Sequence, residues 1–177
     1  DFNHDWSWTP GINFSYNKNE IKELCPGLEE YNLAEASAFI MKLKKGGSYG
    51  DIYTYDFQYD DNGNIKLDNT GAPLLTSDAD TYAGNFNSKF HLGWSNTINW
   101  KNLNIYALVD GKIGGKVLSM NEAIMDGYGV SKATGDARLN GGVPNKDGSM
   151  IDAEKYYSRV GGRAQNAGFN AMEYMYS

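Results

Sequence analysis

The residues that could carry chemistry are acidic, aromatic and scattered. Glu29/Glu30 and Asp60/Asp61 are adjacent carboxylate pairs. A glycosidase needs two carboxylates flanking one sugar bond, but neighbours on a strand or turn point apart, so solvated turn acids are the plainer reading. Asp60, Asn62 and Asn64 have the spacing of early calcium-loop ligands. The helix–loop–helix calcium template wants glycine where Ile65 stands and glutamate where Gly71 stands. A hairpin turn through Asn62-Gly63 explains the segment better. His4 and His91 have no metal-ligand spacing around them, and Cys25 is the single cysteine, so there is no internal disulfide framework. No Gly-x-Ser-x-Gly or phosphate-binding glycine loop occurs. The expectation is a protein that is not an enzyme, with no metal and no cofactor.

The aromatic residues divide into two sets. Trp6, Trp8, Phe14, Trp94 and Trp100 share strand faces with Ile12, Leu92 and Ile98, which suits a membrane aromatic girdle. Stacking on sugars is the rival reading, and the alternation disfavours it. Tyr53, Tyr55, Phe57, Tyr59 and Tyr128, with Asp126 nearby, lie in polar surroundings. They are candidate contacts for a substrate or a partner protein, and packing of the loops on themselves is the plainer alternative.

The elements that hold these residues follow from alternation. In Trp6–Tyr16, the residues Trp6, Trp8, Pro10, Ile12, Phe14 and Tyr16 fall on one face and Ser7, Thr9, Gly11, Asn13 and Ser15 on the other. Period two between an apolar and a polar side predicts a strand over about 5–17. Pro10 followed by Gly11 predicts a bulge within it. A second strand is predicted over 90–100, with Phe90, Leu92, Trp94, Ile98 and Trp100 apolar, Asn96 as a polar intruder, and His91 on the polar face. Lys101-Asn102 reads as a tight turn into a third strand over 103–113, alternating Leu103, Ile105, Ala107 and Val109 against Asn104, Tyr106, Leu108, Asp110 and Lys112. Each is roughly the length of a tilted strand crossing a bilayer.

Long segments at about 18–89 and 114–177 separate and follow these strands. In the first, Ile21–Leu24 could continue the first strand, Tyr49–Tyr59 alternates again, and Thr70–Pro73 is a second turn signal. In the second, Ser119-x-x-Glu122 is a capping box for a helix to about Asp126, ended by Gly127 or Gly129. Asp152 is an N-cap for another helix through Arg159, stopped by Gly161-Gly162. Connections this long are functional or disordered, and their aromatics and helices argue against disorder.

Composition agrees with an all-β chain. Among 177 residues are 21 glycines and 13 tyrosines, and only 41% are hydrophobic, so a large aliphatic core is not expected. A net charge of −6 with dispersed basic residues argues against nucleic-acid binding. No apolar run approaches the ~18 residues a spanning helix needs, which leaves a β-barrel open. The chain begins with Asp and shows no signal peptide, so a mature or internal segment of something larger is expected. A secreted carbohydrate-binding module shares the composition and is the main alternative, followed by a structural outer-membrane protein without transport.

Several stretches resemble the SusC/RagA family of TonB-linked (TonB-dependent) outer-membrane transporters of Bacteroidetes. They include Asn96-Thr-Ile-Asn-Trp-Lys-Asn-Leu103, Val109-Asp-Gly-Lys-Ile-Gly-Gly115, Met125-Asp-Gly-Tyr-Gly-Val-Ser131 and Thr134-Gly-Asp-Ala-Arg138. Trp8–Leu24, Asp60–Asn64 and Gly84–Asn87 are similar as well. The resemblance implies a late segment, near the C-terminus, of a 22-stranded transmembrane barrel whose lumen is plugged, with the plug domain outside this segment. It implies uptake of oligosaccharides or peptides, a SusD-like surface lipoprotein as partner, and energy from the TonB complex. The two long segments would then be extracellular loops, and Lys101-Asn102 would face the periplasm.

Overall fold

The computed structural model describes residues 5–36, 38–161 and 169–177. His4 and Gly162, both named above, lie outside these residues. In chain order the strands are β1 (Trp6–Tyr16), β2 (Glu30–Glu35), β3 (Ile40–Lys44), β4 (Asp51–Thr54), β5 (Thr81–Asn85), β6 (Phe90–Trp100), β7 (Leu103–Ile113), β8 (Val117–Leu118), β9 (Val143–Pro144), β10 (Met150–Ile151) and β11 (Met175–Tyr176). The helices are α1 (Met120–Gly127), α2 (Lys132–Leu139) and α3 (Ala153–Val160), with a 3₁₀ turn at Ala171–Tyr174. Strand dominates, and the described residues form no closed barrel. The chain divides into two compact units.

The first unit comprises the chain up to Asn19 together with Asn87–Gly115. It is a three-stranded antiparallel sheet in the order β1-β6-β7. Trp6 pairs with Trp100 and Tyr16 with Phe90, without a register shift between. The β1 strand therefore carries no bulge at Pro10, contrary to the sequence expectation. The ladder gives the reason. Lys101 N donates to Asp5 O at 2.8 Å and Asn17 N to Lys89 O at 3.2 Å, so the odd-numbered residues of β1 exchange the ladder bonds with β6. Pro10 falls at a non-hydrogen-bonded position, where no N–H is needed from it toward β6. The β6–β7 hairpin closes through Lys101-Asn102, and Lys101 has φ 51°, alone in the positive region among the described non-glycine residues.

The second unit comprises Glu20–Phe86 and Lys116–Tyr176, so both long segments contribute to it. One part is a four-stranded sheet in the order β2-β3-β4-β5. The predicted extension over Ile21–Leu24 is not a strand; Ile21 instead exchanges backbone bonds with Gly46 and Gly47. Over Tyr49–Tyr59 only Asp51–Thr54 forms a strand, and Phe57 and Tyr59 follow in isolated antiparallel bridges to Leu75 and Ile65. The alternating residues differ in environment, with Asp51 and Phe57 buried and Tyr49 and Tyr59 exposed.

Three turns repeat one local design. At Asp60–Asn64, Asp68–Ala72 and Asn145–Ser149, the first residue's carbonyl accepts from the glycine three positions on, and its N–H donates to the carbonyl four positions on. Gly63, Gly71 and Gly148 have φ of 81°, 83° and 84°, as a type I turn with a left-handed bulge residue requires. Asp60 Oδ1 accepts from the Asn62 and Asn64 amides, so the carboxylate closes a turn. The third turn docks on the first: Asn145 Oδ1 accepts from Ile65 N, its amide donates to Ile65 O, and Asp147 N donates to Asn64 Oδ1.

The helices pack over a small core built from both segments: Phe57 and Ala38 from the first, and Ile151, Tyr156, Val160 and Tyr174 from the second. The helix α1 starts where the capping box predicts, but Ser119 makes no side-chain cap and Glu122 Oε2 accepts from the Tyr176 hydroxyl instead. Asp152 caps α3 through Lys155 N. The helix α2, capped by Ser131 on Thr134 N, was not expected from the sequence.

Candidate functional site

Two surfaces of this chain could act on other molecules. The first is a face of the three-stranded sheet. Within each strand the sequence gives alternation, and the pairing joins the faces. Trp8 stands opposite Ile98, Ile12 opposite Trp94, Phe14 opposite Leu92, and then Trp94 opposite Val109 and Ile98 opposite Ile105. A slip of one residue would mix the faces. As paired, all three apolar sets lie on one side. They are not covered by other described residues: Ile12 is 73% exposed, Phe14 64% and Val109 61%. The opposite face carries Ser7, Asn13, His91, Thr97, Asn99, Tyr106, Asp110 and Lys112. His91 Nε2 is hydrogen-bonded to Ser88 Oγ at 2.8 Å.

The pairing also orders the aromatic rings along the strands. Trp6 and Trp100 form a cross-strand pair beside the hairpin turn, and Lys101 Nζ lies 5.9 Å from the Trp100 ring centre. At the other end Phe90 meets Tyr16 at 5.1 Å and Phe14 at 5.9 Å between ring centres. Trp8 lies one step in from Trp6, and Trp94 falls between the two ends, opposite Ile12. Tyr16 and Phe90 are not among the aromatic residues singled out from the sequence. Only the strand pairing identifies them, because each completes a cluster with a ring on the other strand.

The second surface belongs to the unit of long segments. Phe57 is 2% exposed and packs 5.5 Å from the Tyr156 ring in the core. It cannot meet a solute, which corrects its place among the candidate contacts. Phe57 lies beyond the end of β4, in an isolated bridge to Leu75, which packs against the same core. Tyr53 packs edge-on against Tyr82 and lies 5.5 Å from Lys42 Nζ. Burial, followed by the charge of Asp51, raises its hydroxyl above the ordinary tyrosine range. Lys42 itself is paired with Asp80. Tyr55 is half-buried, and Tyr59 is exposed. Burial and then Asp56 raise the Tyr59 hydroxyl in the same sense. The structure does not bring Tyr53, Tyr55 and Tyr59 together with Asp126 and Tyr128 into one described cavity.

Asp126 and Tyr128 are placed together at the end of α1. Asp126 is 6% exposed, and its Oδ2 accepts from the buried Tyr174 hydroxyl at 2.9 Å. Burial first, then the charge of Asp126, pushes the Tyr174 hydroxyl up, which keeps its proton in place for that bond. Asp126 Oδ1 is enclosed and has no hydrogen-bond partner among the described residues. Two cavities adjoin Asp126. One, of about 600 Å³, is bordered by Ser119, Glu122, Met125, Ser131 and Asp136. The other, of about 180 Å³, is bordered by Tyr128, Thr134, Arg138, Glu154 and Tyr157. Among the described residues no group of three or more histidine, cysteine or acidic side chains could hold a metal ion, and no helix is long and apolar enough to cross a membrane.

No family model matches the chain. The chain is 22% identical over 157 residues, 76% of its length, to TonB-dependent receptor P3 of Formosa agariphila, and spans 16% of that protein. At this coarse level the chain is similar to part of a TonB-dependent receptor.

Proposed function

We propose that the chain is a late barrel segment of a SusC/RagA-type importer in the outer membrane of a Gram-negative cell. In this reading β1, β6 and β7 are membrane-spanning strands of a 22-stranded barrel. The importer takes up large solutes, oligosaccharides in the first place, with energy from the TonB complex and a SusD-like lipoprotein at its mouth. The segment performs no catalysis; it contributes wall, mouth and docking surface.

The observation that carries this reading is the single exposed apolar face made by three paired strands of 11 residues each. At ~3.3 Å per residue such strands are about 36 Å long. Tilted by ~45° they rise about 25 Å, the height of the apolar band on an outer-membrane barrel. An uncovered apolar face of this kind is expensive in water and costs nothing against lipid. The aromatic pairs at its two ends stand where a bilayer's two interfaces would be. The similarity to a TonB-dependent receptor supports the same placement.

An immunoblot of fractionated cells with an antibody against Val117–Arg138 tests the reading. The expected result is an outer-membrane band several times larger than the 19.6 kDa of this chain. A soluble or secreted band near that mass would overturn it in favour of a carbohydrate-binding module.

A further inference from the structure

We propose that Asn140 is a site of spontaneous covalent modification, deamidating through attack by the Gly141 backbone nitrogen, while the fold protects the identical pair Asn62-Gly63. Asn-Gly occurs at 62–63 and at 140–141. Glycine favours this chemistry at both places, because no Cβ shields its nitrogen. An unfolded chain would treat the two pairs alike, so a difference in rate comes from the fold.

In the reaction the Gly141 N–H gives its proton to a solvent base, and the nitrogen attacks Asn140 Cγ. The new N–C bond forms, the Cγ–Nδ2 bond breaks, and the side-chain nitrogen leaves as ammonia with a proton from solvent. Water then opens the cyclic imide at either carbonyl, leaving aspartate or isoaspartate in place of Asn140. The attacking N–H must be free, and the Asn140 backbone must rotate to bring nitrogen and Cγ together.

At Asn62 both needs are opposed. Gly63 N donates to Asp60 O at 2.9 Å. Asp60 Oδ1 accepts from the amides on either side, Asn62 N at 2.9 Å and Asn64 N at 2.8 Å. The Asp60 carboxylate also repels the negative charge that builds on the nitrogen. At Asn140 the helix α2 has just ended, and both Asn140 and Gly141 are exposed. A Cβ on Gly141 would meet nothing within 4 Å. Among the described residues Gly141 N donates to no acceptor, while Asn140 N donates to Asp136 O at 2.9 Å and Gly142 N to Ala137 O at 2.8 Å. One unbonded peptide thus lies between two bonded ones, at a helix end where local opening needs least free energy.

Conversion has a structural consequence. It places a negative charge at the negative end of the α2 dipole. Isoaspartate also adds a main-chain carbon two residues before Gly142, which sits so close to β10 that a Cβ there would lie 2.3 Å from Ile151 O. The modified chain should therefore loosen where α2 leads into β9.

The test incubates the intact protein, folded in detergent, at mildly alkaline pH. Mass spectrometry of the digested protein then follows each pair for the gain of one mass unit and for isoaspartate. Asn140 should convert at least about fivefold faster than Asn62, the factor that the net contribution of one hydrogen bond implies. In urea the two rates should draw level. Asp60→Ala removes the carboxylate that closes the first turn, and should speed Asn62 toward its unfolded rate with Asn140 unchanged. Should that variant not fold, the comparison of folded and urea-unfolded parent protein decides alone. The proposal is overturned if Asn62 converts as fast as Asn140 in the folded protein, or if the difference persists in urea. It is equally overturned if Asn140 stays intact while the unfolded chain converts, or if Asn62 keeps its slow rate in folded Asp60→Ala. A soluble, secreted location would overturn the importer and leave these rates unaffected.

Discussion

The indole N–H of Trp8 donates to Asn96 Oδ1 at 3.1 Å across the β1–β6 pair. Asn96 stands directly opposite Pro10, and Trp8 is its diagonal neighbour on the same apolar face. One bond thus satisfies both the indole of a face-exposed tryptophan and the carbonyl of the polar intruder. Trp8→Phe should destabilise the sheet by about 1 kcal/mol, because it leaves the Asn96 carbonyl unpaired. In an Asn96→Leu background the same change should cost much less. A double-mutant cycle on urea unfolding in detergent measures the coupling; strictly additive effects would remove the bond from the account.

The joined faces make a second prediction about position. Ile98 and Ala107 lie on the apolar side, and Thr97 pairs with Tyr106 on the polar side. Replacing Ile98 or Ala107 with Arg should impair assembly by ~2–4 kcal/mol if the residue meets the bilayer midplane. Thr97→Arg and Tyr106→Arg should be much milder. Heat-modifiable gel mobility of the intact outer-membrane protein reads this directly, and equal damage at both pairs would sink the facing assignment.

These three strands were legible because alternation is a local signal: each residue's face depends only on its neighbours two positions away. Pro10 misled because its effect depends on which N–H groups the ladder uses, and that is a property of the pairing. The unit of long segments was legible only in pieces. Its turns at Asp60–Asn64 and Asp68–Ala72 (the second signalled by Thr70–Pro73) and the cap at Asp152 are short-range signals. Its core is not, since Phe57 meets Tyr156 across nearly one hundred intervening positions that include β6 and β7. The cleft at Asp126 needs α1, α2, α3 and the Tyr174 hydroxyl in place at once. Its sequence trace was one acidic residue beside one tyrosine, and the helix α2 that helps wall it carries too weak an apolar stripe to announce itself.

Close packing at two glycines gives a prediction of opposite signs. A Cβ at Gly161, just after α3, would lie 2.2 Å from Gly127 Cα and 2.8 Å from Tyr157 O, while one at Gly135 in α2 would meet nothing within 4 Å. Backbone atoms cannot retreat as a flexible side chain can. Gly161→Ala should therefore destabilise the α1–α3 contact by roughly 2 kcal/mol or more. Gly135→Ala should stabilise by about 0.5–1 kcal/mol, since it removes glycine from a helix interior. Thermal unfolding of the two variants in parallel checks the pair. Equal effects would mean that α1 and α3 do not pack at these residues.

Asp68 links one of the repeated turns to α3 and sets an acid limit on this unit. The Thr70 hydroxyl first, then the Ala72 and Thr70 amides and Arg159, hold its carboxyl at about 2, against an ordinary 3.8. A carboxyl lowered in the folded state binds its proton more readily when unfolded. Its stabilising contribution is therefore complete above the unfolded value, fades as pH falls below 3.8, and is gone once pH passes about 2. Asp60 and Asp147 are lowered in the same direction, chiefly by Asn64 and Ser149, so the unit should lose stability progressively through that window. Asp68→Asn keeps an acceptor for the turn without a titrating group. The fall in urea midpoint between pH 5 and pH 2 should be shallower in the variant than in the parent chain. A parallel fall in both would show that the folded Asp68 titrates as it does in the unfolded chain, and that neither the turn nor Arg159 holds it as an anion.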